Sequence, residues 1–152
     1  MEIERKYLVR ELPADLDSYP HVEIEQGYLC TSPTLRVRRM GDDFILTVKE
    51  KQHSSTSAIV NREEEFALTD EKYSLLKLKC NGCLVSKTRY RIPLNALTAE
   101  LDIFHGAHQG LCLVEVEFPS IEDADRFTPP SWFGQDVSSD PHYRNSYLAH
   151  NT

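Results

Sequence analysis

The chain opens Met1-Glu2-Ile3-Glu4-Arg5-Lys6-Tyr7-Leu8-Val9. At the two-residue period of a β-strand, Glu2, Glu4 and Lys6 fall on one face and Ile3, Arg5 and Tyr7 on the other. Two carboxylates and an ammonium avoid a core unless partners, a metal or water meet them there. One strand of this kind reads first as a solvated outer face. Its repetition along the chain changes that reading.

Thr34 to Met40 sets Leu35 and Val37 against Arg36 and Arg38, and Gly41-Asp42-Asp43 turns the chain into Phe44 to Glu50, where Lys49 lies opposite Val48. In Ile59 to Leu68, Phe66 and Leu68 mark the outer face, so Glu63 and Glu65 point with the other charges. Val85 to Ile92 gives Lys87, Arg89 and Arg91 one face. Ala99 to Phe104 offers Glu100 and Asp102, and Leu111 to Phe118 offers Glu115 and Glu117. Val22 to Cys30 is a further strand, in which Gly27 marks a bulge or a close backbone approach.

Between these lie a connector with one helical turn (Glu11 to Pro20), a turn at Thr31-Ser32-Pro33 and a polar, serine-rich loop from Lys51 to Ala58. Thr69 caps a helix that Asn81-Gly82 ends, and Ser120 caps a second, stopped by Pro129-Pro130. The aromatic tail from Trp132 to Leu148 is expected to fold back on the domain. The fold class predicted is α+β, mainly β: one domain over residues 1–152, an eight-stranded antiparallel closed β-barrel or tunnel with a charged interior, covered outside by a few helices.

Composition is compatible with this. The 152 residues are 40% hydrophobic and 27% charged, the balance of a globular chain. No apolar run approaches the roughly 18 residues of a membrane span. A charged strand at the outset predicts no signal peptide, hence a cytoplasmic protein. Cys80-Asn81-Gly82-Cys83 has no second pair to complete a zinc site, so the four cysteines read as free thiols. A net charge of −7 makes nucleic acid an unlikely partner. It leaves room for an anionic ligand, because local clustering outweighs the total. Dense carboxylates beside dense cations suit a divalent metal and a polyphosphate held together: oxygen donors for Mg²⁺ or Mn²⁺, planar Arg forks for phosphate.

Glu2-Ile3-Glu4-Arg5-Lys6 resembles the N-terminal Glu-x-Glu-x-Lys signature of the CYTH superfamily, the triphosphate tunnel metalloenzymes. The likeness continues through Gln26-Gly27-Tyr28-Leu29, Leu35-Arg36-Val37-Arg38, Thr47-Val48-Lys49, Lys87-Thr88-Arg89-Tyr90 and Glu115-Val116-Glu117-Phe118. It reaches Trp132 to Val137, Tyr143, Asn145 and Leu148. One departure falls in the fifth strand, where Asn61 takes an inward position that family members often fill with Arg, and Arg62 has the other parity.

The resemblance implies a tunnel that hydrolyses a triphosphate with Mg²⁺ or Mn²⁺, most closely in the manner of the bacterial tripolyphosphatases. Carried onto this sequence, it implies Glu2, Glu4, Glu65, Asp102, Glu115 and Glu117 as metal ligands. Lys6, Arg36, Arg38, Lys49, Lys87, Arg89 and Arg91 would bind substrate, and Glu63 and Glu100 complete the tunnel. Tyr28 is the candidate proton acceptor and Lys6 the competing one. The partner expected is a small-molecule triphosphate, with a homodimer left open. Two alternatives stand beside this reading: a class IV adenylate cyclase, and a module that binds triphosphate or polyphosphate without turnover. His105 and His108 read as exposed turn residues rather than metal ligands.

Overall fold

The computed structural model describes residues 1–52 and 56–151, so the loop expected from Lys51 to Ala58 falls in part outside the described residues. Among the described residues, nine strands form one antiparallel sheet, and eight of them close into the barrel. These are β1 (Glu2–Val9), β2 (His21–Thr31), β3 (Thr34–Met40), β4 (Asp43–Lys51), β5 (Ile59–Leu68), β6 (Asn81–Leu94), β7 (Leu97–Phe104) and β8 (Cys112–Glu117). The sheet order is β5-β4-β3-β2-β6-β7-β8-β1, and β1 returns to β5 through Glu2↔Asn61 and Glu4↔Ile59. A short β9 (Phe133–Asp136) takes the same edge of β1 further along, at Tyr7 and Val9.

Three helices complete the chain: α1 (Asp70–Lys77), α2 (Ile121–Arg126) and α3 (Asn145–His150). Thr69 caps α1 by accepting from Lys72 N, and Ser120 caps α2 by accepting from Asp123 N, the two caps expected from Thr/Ser preceding an acidic first turn. The outward faces of β1, β6, β7 and β8 bury Tyr7, Ile92, Leu101, Val114 and Val116 beneath α2 and the aromatic segment ending at Phe133. Tyr7 lies 5.0 Å from the Phe133 ring and Phe118 5.1 Å from Phe127. Among the described residues no helix is long and apolar enough to cross a membrane.

Two features depart from the sequence reading. First, Asn81-Gly82 does not end α1: the helix stops at Lys77, and β6 already begins at Asn81. Asn-Gly is a turn signal, but here tertiary contact overrides it. Gly82 holds φ +71° inside a strand, and a Cβ there would collide with the carbonyl oxygen of Ala149 in α3.

Second, the interior is not charged throughout. Tyr28, Val85, Phe104 and Leu113 share the inward parity with the charged positions, and they pack against Val137, Leu148 and Ala149. Thus α3 does not cover the outside; it stops one end of the barrel with an apolar plug. His108 Nε2 donates to Leu148 O at 2.7 Å and holds the plug from the β7–β8 turn, so His108 is half-buried rather than exposed.

Gly27 combines both expected roles. The β2–β6 register shifts between Gln26 and Tyr28, and a Cβ on Gly27 would meet Cys80 Sγ and Leu84 Cδ2 at 2.7 and 2.8 Å.

Gly82→Ala therefore lowers stability by about 1–3 kcal/mol, because α3 must shift to admit the methyl group. A fall in Tm of several degrees in a thermal melt is expected. An unchanged Tm would show that α3 does not seat against β6 at this point.

Candidate functional site

The inward faces surround a cavity of about 1010 Å³. β1 contributes Glu2, Glu4 and Lys6, β2 Tyr28, β3 Arg36 and Arg38, β4 Lys49, and β5 Asn61 and Glu63. Arg89, Glu100 and Glu115 come from β6, β7 and β8. The other expected residues share this parity but not this depth. Lys87 and Asp102 are 0% and 1% exposed and lie behind the cavity wall. Glu65, Arg91 and Glu117 are exposed, at strand positions toward the barrel ends.

The acids fall into three groups. Glu4 and Glu115 hydrogen-bond through their carboxyls; burial and the Glu115 charge push Glu4 well above the usual range. Burial works to raise Glu115 as well, but Lys6, the bond from Glu4, and Arg89 and Lys87 hold it well below. The pair thus shares a proton that resides on Glu4. Lys49 bridges the second group, 3.2 Å from Glu2 Oε1 and 3.4 Å from Glu63 Oε2, and Asn61 Nδ2 donates to Glu2 at 3.4 Å. In the third, Asp102 spends both oxygens on cations: Arg89 Nε and Nη2 donate at 2.8 and 2.9 Å, and Lys87 Nζ lies at 2.8 Å. Lys87 also donates to Asn145 Oδ1 at 3.0 Å, and burial pushes its ammonium down to about 7.

Arg36 and Arg38 are 7% and 8% exposed, and neither forms an ion pair with a carboxylate among the described residues. Arg36 Nη2 donates to Thr47 Oγ1 at 3.2 Å, while its Nε is buried without a hydrogen-bond partner. Arg38 Nε donates to Gln26 Oε1 at 2.9 Å, and Gln26 Nε2 donates in turn to Tyr28 OH at 2.9 Å. Burial, then Arg36 and Arg89, push the Arg38 guanidinium down to about 9. Buried cations without counter-charges are costly, and here they face a common cavity.

Gln26, Thr47 and Lys51 share the inward parity but were not among the expected site residues: the first two are neutral, and Lys51 falls at the end of its strand. The tail residues Ser138, Arg144 and Asn145 carried no periodicity at all. Ser138 Oγ accepts from Lys6 N at 2.9 Å and Tyr143 O accepts from Lys6 Nζ at 3.0 Å, so the tail is fastened to β1 beside the cavity. The cysteines are free thiols.

A divalent cation fits this donor set. Among the described residues no three His, Cys, Asp or Glu converge on a ready-made metal cluster. The protein offers carboxylate pairs instead, Glu4 with Glu115 and Glu2 with Glu63, and the buried Glu63 Oε2 has only the Lys49 ammonium, at 3.4 Å, as a counter-charge. That is the donor pattern for Mg²⁺-like ions, which take one or two carboxylates and complete their shell with phosphate and water.

Comparison with known proteins agrees with this geometry. An inorganic triphosphatase of Nitrosomonas europaea is 39% identical over 97% of this chain and 96% of its own length. A second, from Acetivibrio thermocellus, is 32% identical over 99% of this chain and 94% of its own. A crystal structure of an inorganic triphosphatase superposes with a TM-score of 0.73 and 36% identity, covering 100% of this chain and 96% of that one. The family model described as the CYTH domain matches residues 1–129. With inward charges on seven of its eight barrel strands and this match over most of its length, the chain belongs to the CYTH family.

Proposed function

We propose that this chain is a divalent-cation-dependent triphosphatase acting on inorganic triphosphate. The observation that carries the reading is a pair of buried guanidiniums, Arg36 and Arg38, without carboxylate partners and opening into the same cavity as the proton-sharing Glu4–Glu115 pair. Relatives that cover nearly the whole chain bear the name inorganic triphosphatase.

In this reaction water adds to a terminal phosphorus and the phosphoanhydride P–O bond breaks, releasing phosphate and diphosphate. Arg36, Arg38 and Arg89 receive phosphate oxygens and offset charge that develops on the transferred phosphoryl group. Lys49, held up by Glu4, Glu2 and Glu63 against burial and Arg36, remains an ammonium and adds a point charge. Glu2, Glu4, Glu63 and Glu115 would hold Mg²⁺ or Mn²⁺, which supplies charge neutralisation and a more acidic bound water. Asp102 is committed to Arg89 and Lys87 and orients those cations instead. Tyr28 is the better placed proton acceptor: it lines the cavity, and Gln26, itself held by Arg38, donates to its oxygen. Lys6 donates to Tyr143 O and lies 3.6 Å from Glu115, the setting of a binding cation.

Tyr28 is the cavity's one aromatic side chain among the described residues. With no further ring among the described lining residues to stack a base, the site favours an inorganic leaving group over a nucleoside. The test is a panel of tripolyphosphate, ATP and thiamine triphosphate with Mg²⁺, Mn²⁺ or EDTA. Phosphate release from tripolyphosphate that disappears with EDTA is expected. Release that survives EDTA in full, cyclic AMP from ATP as the main product, or tight binding with no turnover would each overturn the reading.

A further inference from the structure

Resting on that reading, we propose that Arg144 selects the substrate: its guanidinium receives the phosphate at the tail-side end of the triphosphate and distinguishes a free terminal phosphate from one esterified to a nucleoside. Arg144 stands immediately before α3 and lines the cavity. Among the described residues its side chain has neither a hydrogen bond nor an ion pair.

Its backbone, by contrast, is fixed on both sides. Arg144 N donates to Pro141 O at 3.2 Å and Arg144 O accepts from Leu148 N at 3.0 Å. The neighbouring Tyr143 O takes the Lys6 ammonium, and the neighbouring Asn145 Oδ1 takes Lys87. Arg144 therefore lines the cavity on a held backbone next to the Lys6 corner, and its exposed side chain is long enough to follow a ligand. The other tail residues lining this wall are Ser138, Ser139, Asn145 and Ser146, all neutral. The acid of this segment, Asp140, is engaged outside the cavity by His142 at 2.7 Å. No carboxylate on the tail wall competes for Arg144.

A free terminal phosphate carries close to two negative charges near neutral pH and offers three oxygens, so a guanidinium fork meets it with two charge-assisted bonds. ATP has one free and one esterified end, and in the proposed orientation the esterified phosphate faces Arg144; it carries one charge and gives one oxygen to carbon. The same fork gains less there, and the difference appears as preference for the inorganic chain.

Arg144→Ala is expected to raise KM for tripolyphosphate about tenfold with kcat held within about twofold. Its effect on ATP, measured as substrate or, where turnover is too slow, as competitive inhibitor, stays within about twofold. The preference for tripolyphosphate thus falls about tenfold. Arg144→Lys keeps the charge but not the fork and falls between. Titration of tripolyphosphate into metal-free protein by calorimetry shows the same weakening without any turnover.

If the unsubstituted protein releases phosphate from tripolyphosphate but Arg144→Ala leaves KM unchanged, Arg144 has no such role and the triphosphatase reading stands. Equal losses for both substrates, or a fall in kcat shared by Arg144→Lys, assign Arg144 to seating α3 and overturn the proposal. If the unsubstituted protein releases no phosphate from tripolyphosphate, the function falls first and this inference with it.

Discussion

Glu4→Gln lowers the rate of phosphate release from tripolyphosphate by about 10²–10³-fold, and it raises the melting temperature of the metal-free protein. Both effects come from one side chain. Glu4 is buried, and burial together with Glu115 raises its proton affinity well above the ordinary 4.5. Between 4.5 and that raised value, the native state holds a proton that the unfolded chain releases. Its contribution to stability is thus complete below 4.5 and is lost as pH rises through the native value. Glutamine keeps the shape and a hydrogen bond to Glu115 but removes the titration.

In EDTA, the Tm difference between Glu4→Gln and the unsubstituted protein should widen in favour of the variant as pH increases across this window. With the carboxylate gone, a cation would lose one of the two carboxylates proposed to hold it at the Glu4–Glu115 pair, and the variant should need far more metal for whatever activity it retains. A Tm difference that shrinks with rising pH would show that Glu4 does not carry the shared proton.

Arg38→Ala has the second large effect: kcat/KM for tripolyphosphate falls by about 10²-fold or more. The side chain is nearly sealed from solvent, its charge is opposed by Arg36 and Arg89, and its Nε is spent on Gln26. Losing it removes a phosphate contact and also frees Gln26, so the Tyr28 phenol loses its support. In the absence of ligand, Arg38→Met is expected to be at least as stable as the parent, since it replaces an unpaired buried cation with an apolar chain of similar volume. Tripolyphosphate added without metal raises the Tm of the unsubstituted protein, as any ligand of the native state does, and raises that of the Arg38 variants far less. Equal shifts in all three would place the anion elsewhere.

Much of this site was legible from period-two parity. Glu2, Glu4 and Lys6, then Arg36 and Arg38, then Arg89, then Glu115 each share a face with their strand's other charges, and closure of the barrel turns those faces toward one space. Parity gives a face but not a depth. Arg91 and Glu117 therefore looked equivalent to Arg89 and Glu115, although the structure leaves them exposed. It is equally silent about what stops the barrel. Val85, Phe104 and Leu113 alternate in step with Lys87, Asp102 and Glu115, and only the docking of α3 shows why those positions are apolar. The contribution of Ser138 and Asn145 rests on contacts more than 50 residues away in sequence, such as Lys6 N to Ser138 Oγ, for which no local pattern exists. Asn81-Gly82 misled for the converse reason: a strong local turn signal was overruled by a distant helix.

β1 has ladders to three strands, β5, β8 and β9, and every one is long-range. During folding, β1 consequently has no partner closer in sequence than β5, and its other edge is bare until β8, more than 100 residues away, closes on it. Its charges guard it meanwhile, because Glu2, Glu4, Arg5 and Lys6 disfavour pairing with a stray strand. Glu2, Glu4 and Lys6, which line the cavity in the closed barrel, thus double as gatekeepers during folding. Neutralising Glu2, Glu4 and Lys6 together would expose the chain to aggregation before it could fold.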